Sequence, residues 1–200
     1  MTRILLALLR RNRASATVEL AIILPVMIFI VAGIVEFGRI FEVYVATNRL
    51  ATQFAFSWAS CPDDSSAKCG TELTYYTNGP EISNVVPQLA LTGISLSMIE
   101  YSVLYLGPAS ITLNSVYKGG FCNGSQSPNP CGNDLTTGQS LANAAAQTSQ
   151  QIGTVQYVVV VIASYSHSLS FFNTLMNPLL GSYLTPTYSV AQLKNQTSSN

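Results

Sequence analysis

The order of residues between Arg10 and Val35 constrains this chain more than anything else in it. Arg10-Arg11-Asn12-Arg13 is basic, Ala14-Ser15-Ala16-Thr17 is small, Glu19 is a lone carboxylate, and Leu20–Val35 carries no charge. Those 16 apolar residues, extended by Ser15–Val18 before them and Phe37 after, approach the ~20 that a helix needs to cross a bilayer. The arginines lie on one side of the run with no matching cluster after it. The positive-inside rule therefore places residues 1–14 in the cytoplasm and the remainder outside. A cleaved secretory signal is the competing expectation, but its apolar core usually has about 7–15 residues and ends at a small-x-small site. Here the run is longer, is entered through Glu19, and continues without a turn signal into Glu36-Phe37-Gly38-Arg39-Ile40-Phe41-Glu42.

Helical spacing persists beyond the apolar run. Phe37, Phe41, Tyr44, Ala51, Phe54 and Trp58 recur at helical steps, which predicts one stripe packed on an attached domain. Glu36 and Arg39, three residues apart, are placed to pair at the membrane interface. Cys61-Pro62-Asp63-Asp64 ends the helix. From Ser15 to Trp58 it would extend ~65 Å at 1.5 Å per residue. Pro25 removes the bond to the carbonyl of Ala21 and is expected to kink the span. Gly33 and Gly38 offer points of close approach. Glu19 costs a few kcal/mol at the entrance of a spanning helix unless something satisfies it. The helix N-terminus can do so at headgroup depth. A cation from another chain, or a new amino group on Ser15 after a cut following Ala14, can do so more strongly.

Only 9% of the chain is charged and its formal net charge is zero, against ~25% charged residues in an ordinary soluble domain. Removing residues 1–14 leaves five cations against nine carboxylates, a net of −4. No basic patch remains for nucleic acid, whose phosphates need clustered Lys and Arg. The four cysteines form two close pairs, Cys61/Cys69 and Cys122/Cys131, each among Pro, Gly, Asn, Asp and Ser. Short polar loops of this kind suit disulfides in an oxidising compartment. Free thiols and a shared zinc site are the alternatives, although zinc ligands usually have spacers of about two to four residues.

The remainder reads as an α+β head, a small antiparallel sheet joined to the helix, with residues 59–80 as a polar loop. Residues 81–92 suggest a short helix interrupted by Pro87. Ile94, Leu96 and Met98 alternate with serines as in a strand. Tyr101, Val103 and Tyr105 continue on the opposite parity, so a bulge or break is expected near Ile99. A second strand through Ile111, Leu113 and Tyr117 follows the turn at Gly107-Pro108. Gln139–Ile152 reads as a helix. The strongest strand signal begins at Val155 and continues to Phe171, apolar on both faces in its first half. Residues 183–193 add an edge strand limited by Pro186. The segment 171–180 is unusually apolar for a connection.

Chemistry is sparse. His167 is the only histidine and lacks partners for a metal or a catalytic triad. No Walker loop or GxGxxG is present. Asp63-Asp64 reads as a solvated loop rather than a calcium site, and Asn123-Gly124-Ser125 matches a glycosylation acceptor. No cofactor, metal or enzymatic activity is expected.

The pattern RRNRASATVELAIILP, followed by GIVEFGRIF, resembles the TadE-like minor pilins (pseudopilins) of the Tad, or Flp, type IV pilus system. The resemblance covers about a quarter of the chain closely. Ala14 stands where the family has glycine, and Leu20 where it has Phe or Tyr. The resemblance implies a prepilin peptidase cutting between Ala14 and Ser15 on the cytoplasmic side, with Glu19 as the assembly carboxylate. It implies other pilin subunits, an inner-membrane assembly platform and lipid as partners, and a structural role in a pilus. The expected layout is a leader at 1–14, a helix at 15–58 (15–37 in the membrane, 38–58 on the head), and a periplasmic head at 59–200. An uncleaved, single-pass periplasmic binding module is the alternative.

Overall fold

The computed structural model describes residues 2–61, 73–107, 110–149, 155–166 and 185–194. Helix α1 (Thr2–Ala59) is continuous and contains Pro25. It ends on a tightened turn, with Ser60 N–H donating to Phe56 O and Cys61 N–H to Trp58 O. After it come α2 (Gly79–Val85), strands β1 (Ile94–Gly107), β2 (Ser110–Cys122) and β3 (Ser125–Ser127), helix α3 (Asp134–Ser149), and strands β4 (Val155–Tyr165) and β5 (Thr187–Leu193). The five strands form one antiparallel sheet in the order β3-β2-β1-β4-β5. A long apolar helix followed by a small antiparallel sheet is the expected α+β class.

Both faces of the sheet are covered. On one, Leu50, Phe54 and Trp58 of α1 pack with Leu96, Met98, Val159 and Val161. On the other, Ala142 and Ala146 of α3 pack with Ile99, Tyr101, Val158 and Val160. This explains why Val155–Tyr165 is apolar on both parities: β4 lies inside the sheet between two helical layers.

The irregularity expected near Ile99 is present as a bulge at Glu100/Tyr101, while β1 itself is not broken. β1 pairs with β4 in unbroken register from Ile94 to Leu104. The apolar parity changes because β1 first buries its even residues under α1 and then its odd residues under α3. The bulge lies in the partner strand: Glu100 pairs with Tyr117 and Tyr101 with Ser115, leaving Val116 as the extra residue of β2.

Other elements differ at their ends. α2 stops before Pro87, whose ring forbids helical geometry at the residue before it. α3 begins at Asp134, five residues ahead of the expected Gln139. Gly138, which obscures the helix in sequence, is there for packing: a Cβ on it would lie 2.7 Å from Tyr101 Oη and 3.0 Å from Ile99 Cδ1. Tyr101 Oη donates to Leu135 O at 2.9 Å, tying α3 to the sheet. Asn123 (φ 50°) and Gly124 (φ 92°) form the two-residue turn between β2 and β3. Asn-Gly is a strong signal for such a turn, and the glycosylation reading passed over it.

Cys122 and Cys131 are joined in a disulfide across nine residues. Ser97, fully buried, anchors the loop it closes: its Oγ accepts from Cys131 N at 2.8 Å and donates to Asp134 Oδ2 at 2.6 Å. Ser97 of β1 thus faces the start of α3 rather than water. Cys61 is also disulfide-bonded. Cys69, Asp63-Asp64, His167 and the 171–180 segment lie outside the described residues.

Candidate functional site

Among the described residues no group of three or more His, Cys, Asp or Glu side chains could hold a metal ion. The feature with functional content is α1. Its stretch from Val18 onward contains an 18-residue window of mean hydropathy 2.8, none of it buried against the head. Leu20, Ile23, Met27, Ile30 and Ile34 are all exposed, and the helix is long and apolar enough to cross a membrane. Ala14 and Ser15 are on the same continuous helix. Glu19 is exposed at the entrance to the apolar span. Ser15 and Glu19 are four residues apart and so lie on one helix face, ~6 Å along the axis.

Above the span the helix has two opposed faces. The inner one carries Glu36, Val43, Thr47, Leu50, Phe54 and Trp58, all buried at helical spacing. Glu36, only 3% exposed, opens this stripe. Arg39, one turn on, is exposed. The outer face carries Phe37, 60% exposed, Phe41, 71% exposed, and Val45 and Phe56, also exposed. This corrects the stripe read from sequence. Phe54, Trp58 and Ala51 are buried as expected, whereas Phe37 and Phe41 stay exposed outside the core. Alternating three- and four-residue steps fit either face of an aromatic-rich helix, and only the position of the sheet decides between them.

Outward apolar residues thus run without interruption from Leu20 to Val45, ~38 Å of helix. Gly33 and Gly38 lie along this length, and a Cβ on either would meet nothing of this chain within 4 Å. Backbone at small residues in a membrane-spanning helix can be approached closely by another helix.

Beside this face, Phe37, Phe41, Tyr44 and Val45 form a groove of about 530 Å³ with Tyr188 of β5. Tyr44 and Tyr188 meet edge to face with ring centroids 6.1 Å apart. Burial and the neighbouring Tyr44 push the Tyr188 phenol above its usual range. Sequence reasoning missed this groove, because Tyr188 reaches it only through the sheet.

A buried ion pair was also missed. Lys194 Nζ and Glu100 Oε2 are 2.9 Å apart, with side chains 1% and 2% exposed. They are 94 residues apart in sequence, beyond any local spacing rule.

No curated protein and no solved structure matches the chain. Over residues 14–55, the stretch that holds Glu19, the apolar span and both faces of α1, the chain matches the family model described as TadE-like protein, a structural, pilus-related family.

Proposed function

We propose that the protein is a minor pilin- or pseudopilin-like structural subunit for assembly of a Tad (Flp) type pilus, synthesised with a leader that a prepilin peptidase removes after Ala14. The observation that carries this reading is the pair of opposed apolar faces on α1. One face holds the protein's own head; the other continues out of the membrane span to Val45, exposed along its length. A simple anchor needs no such outer face beyond the lipid, whereas a subunit that packs against other helices does.

Cleavage supplies the electrostatic complement. It frees an amine on Ser15, one helical turn below Glu19. The charge can attract the carboxylate of its own helix or that of a neighbouring subunit at the membrane boundary, where intramembrane acids are held by named partners. The arginines of the leader keep residues 1–14 in the cytoplasm, where the peptidase acts, and the head lies in the periplasm. The partners in this reading are other pilin subunits, the prepilin peptidase and the inner-membrane assembly platform. Glu36 and Arg39, three residues apart on the helix, pair at the membrane exit.

N-terminal mass determination on membrane-extracted protein tests the reading. With the prepilin peptidase present, the chain begins at Ser15. Glu19→Ala inserts normally but fails to assemble. An intact Met1 under the same conditions, with Glu19→Ala harmless, would leave an anchored periplasmic module in its place.

A further inference from the structure

We infer that the outer edge of β5 is a docking site for an extended, uncharged segment of another protein, which adds to the sheet as a sixth strand and seats its apolar side chains in the groove beside α1. The backbone names this kind of occupant. Tyr165 N–H donates to Pro186 O and Lys194 N–H to Tyr157 O. These bonds bracket the β4–β5 register, so the even-numbered residues of β5 bond to β4. Thr187, Ser189, Ala191 and Leu193 therefore turn their N–H and C=O groups away from the sheet, and among the described residues no strand pairs with them.

Most exposed edges are blunted by charge, proline or shortness. In β5 such residues stand only at its ends, Pro186 before it and Lys194 after it; Thr187–Leu193 itself, seven residues, contains no charge and no proline. At the opposite side β3 covers only Gly120–Cys122 of β2 and is tied by Gln126 Nε2 to Thr74 O and Thr77 Oγ1; the remainder of β2 carries the charge of Lys118, whereas β5 has an uncharged groove beside it.

The groove supplies side-chain recognition. A strand added to β5 lies ~4.8 Å beyond it, and every second side chain points to the face that carries α1. There Phe37, Phe41, Tyr44, Val45 and Tyr188 line the groove with no charged group. An uncharged segment with an apolar residue at every second position complements both the ladder and the groove. A second copy offering its own β5 edge antiparallel does not. Antiparallel pairing of two β5 edges requires a two-fold axis normal to the sheet, which would point the two α1 helices in opposite directions. Two copies inserted the same way in one membrane cannot adopt that arrangement.

The test uses the full chain in nanodiscs with the peptide acetyl-Thr-Val-Thr-Val-Thr-Val-Thr-amide, read by amide hydrogen exchange. Saturating peptide should slow exchange at Ser189 and Ala191 at least 10-fold, while a peptide N-methylated on its edge-facing residues leaves them unchanged. Ser189→Pro, which deletes one outward N–H, should abolish the protection. Should Ser189→Pro fail to fold, Phe41→Asp decides: in the isolated full chain it alters an exposed groove wall outside the core and should weaken peptide binding at least 10-fold. Unchanged exchange with the first peptide, equal effects of both peptides, or full binding by Phe41→Asp would each overturn the inference.

Discussion

Replacing Lys194 with methionine is the sharpest test of how the head is held closed. The pair it forms with Glu100 joins the residue that follows the last strand to a strand in the middle of the sheet, at 2.9 Å and essentially without solvent. At that distance two unit charges attract by about 6 kcal/mol at an effective dielectric constant of about 20. Withdrawing both ions from water costs several kcal/mol each, so the intact pair contributes little net stability. Breaking it is different. Lys194→Met leaves the Glu100 carboxylate buried and uncompensated, at a cost of about 3–5 kcal/mol. Replacing both, as Glu100→Leu with Lys194→Met, removes the desolvation penalty along with the attraction and should return stability to within about 1 kcal/mol of the parent or above it. Chemical denaturation of the detergent-solubilised protein, followed by near-ultraviolet circular dichroism of the head, measures all three. A loss below about 1 kcal/mol for the single variant, or a double variant no more stable than the single, would refute the reasoning.

Three further outcomes follow from the packing. Gly138→Ala gains helix propensity but sets a Cβ 2.7 Å from Tyr101 Oη; thermal melting should show a net loss of about 1–2 kcal/mol, relieved when Tyr101→Phe is added. Replacing Cys122 and Cys131 together by serine should destabilise the head by about 2–3 kcal/mol through loop-closure entropy, seen as a lower melting temperature under non-reducing conditions. Burial pushes the Tyr101 phenol up to about 12, from an ordinary 10.0. Its folded pKa is the raised one, so the stability from the protonated phenol is complete below about pH 10 and is lost as pH rises through about 12. Melting temperatures across that window should fall in the parent and fall less in Tyr101→Phe.

Much of the secondary structure was legible because its causes are local. β4 showed itself through a run of β-branched residues too apolar for a half-exposed strand, and the short reach of β5 through Pro186. What was misread depended on neighbours. The parity change in β1 resembled a broken strand because period-2 alternation assumes one buried face, and here two helices cover opposite faces. Gly138 hid the first turn of α3 because a helical glycine is unfavourable alone and is explained only by the Tyr101 hydroxyl against it.

For the candidate site the division has the same origin. The basic–small–acid–apolar order is contiguous, so sequence alone determined the long apolar helix and the position of Glu19 at the entrance of its apolar stretch. Sequence could not decide which way Phe37 and Phe41 face. An α-helix offers several stripes to the same aromatic residues, and the sheet selects one for the core and leaves the others outside. The Glu100–Lys194 pair and the open edge of β5 are decided by strand order and register, which bring together groups that no sequence spacing relates.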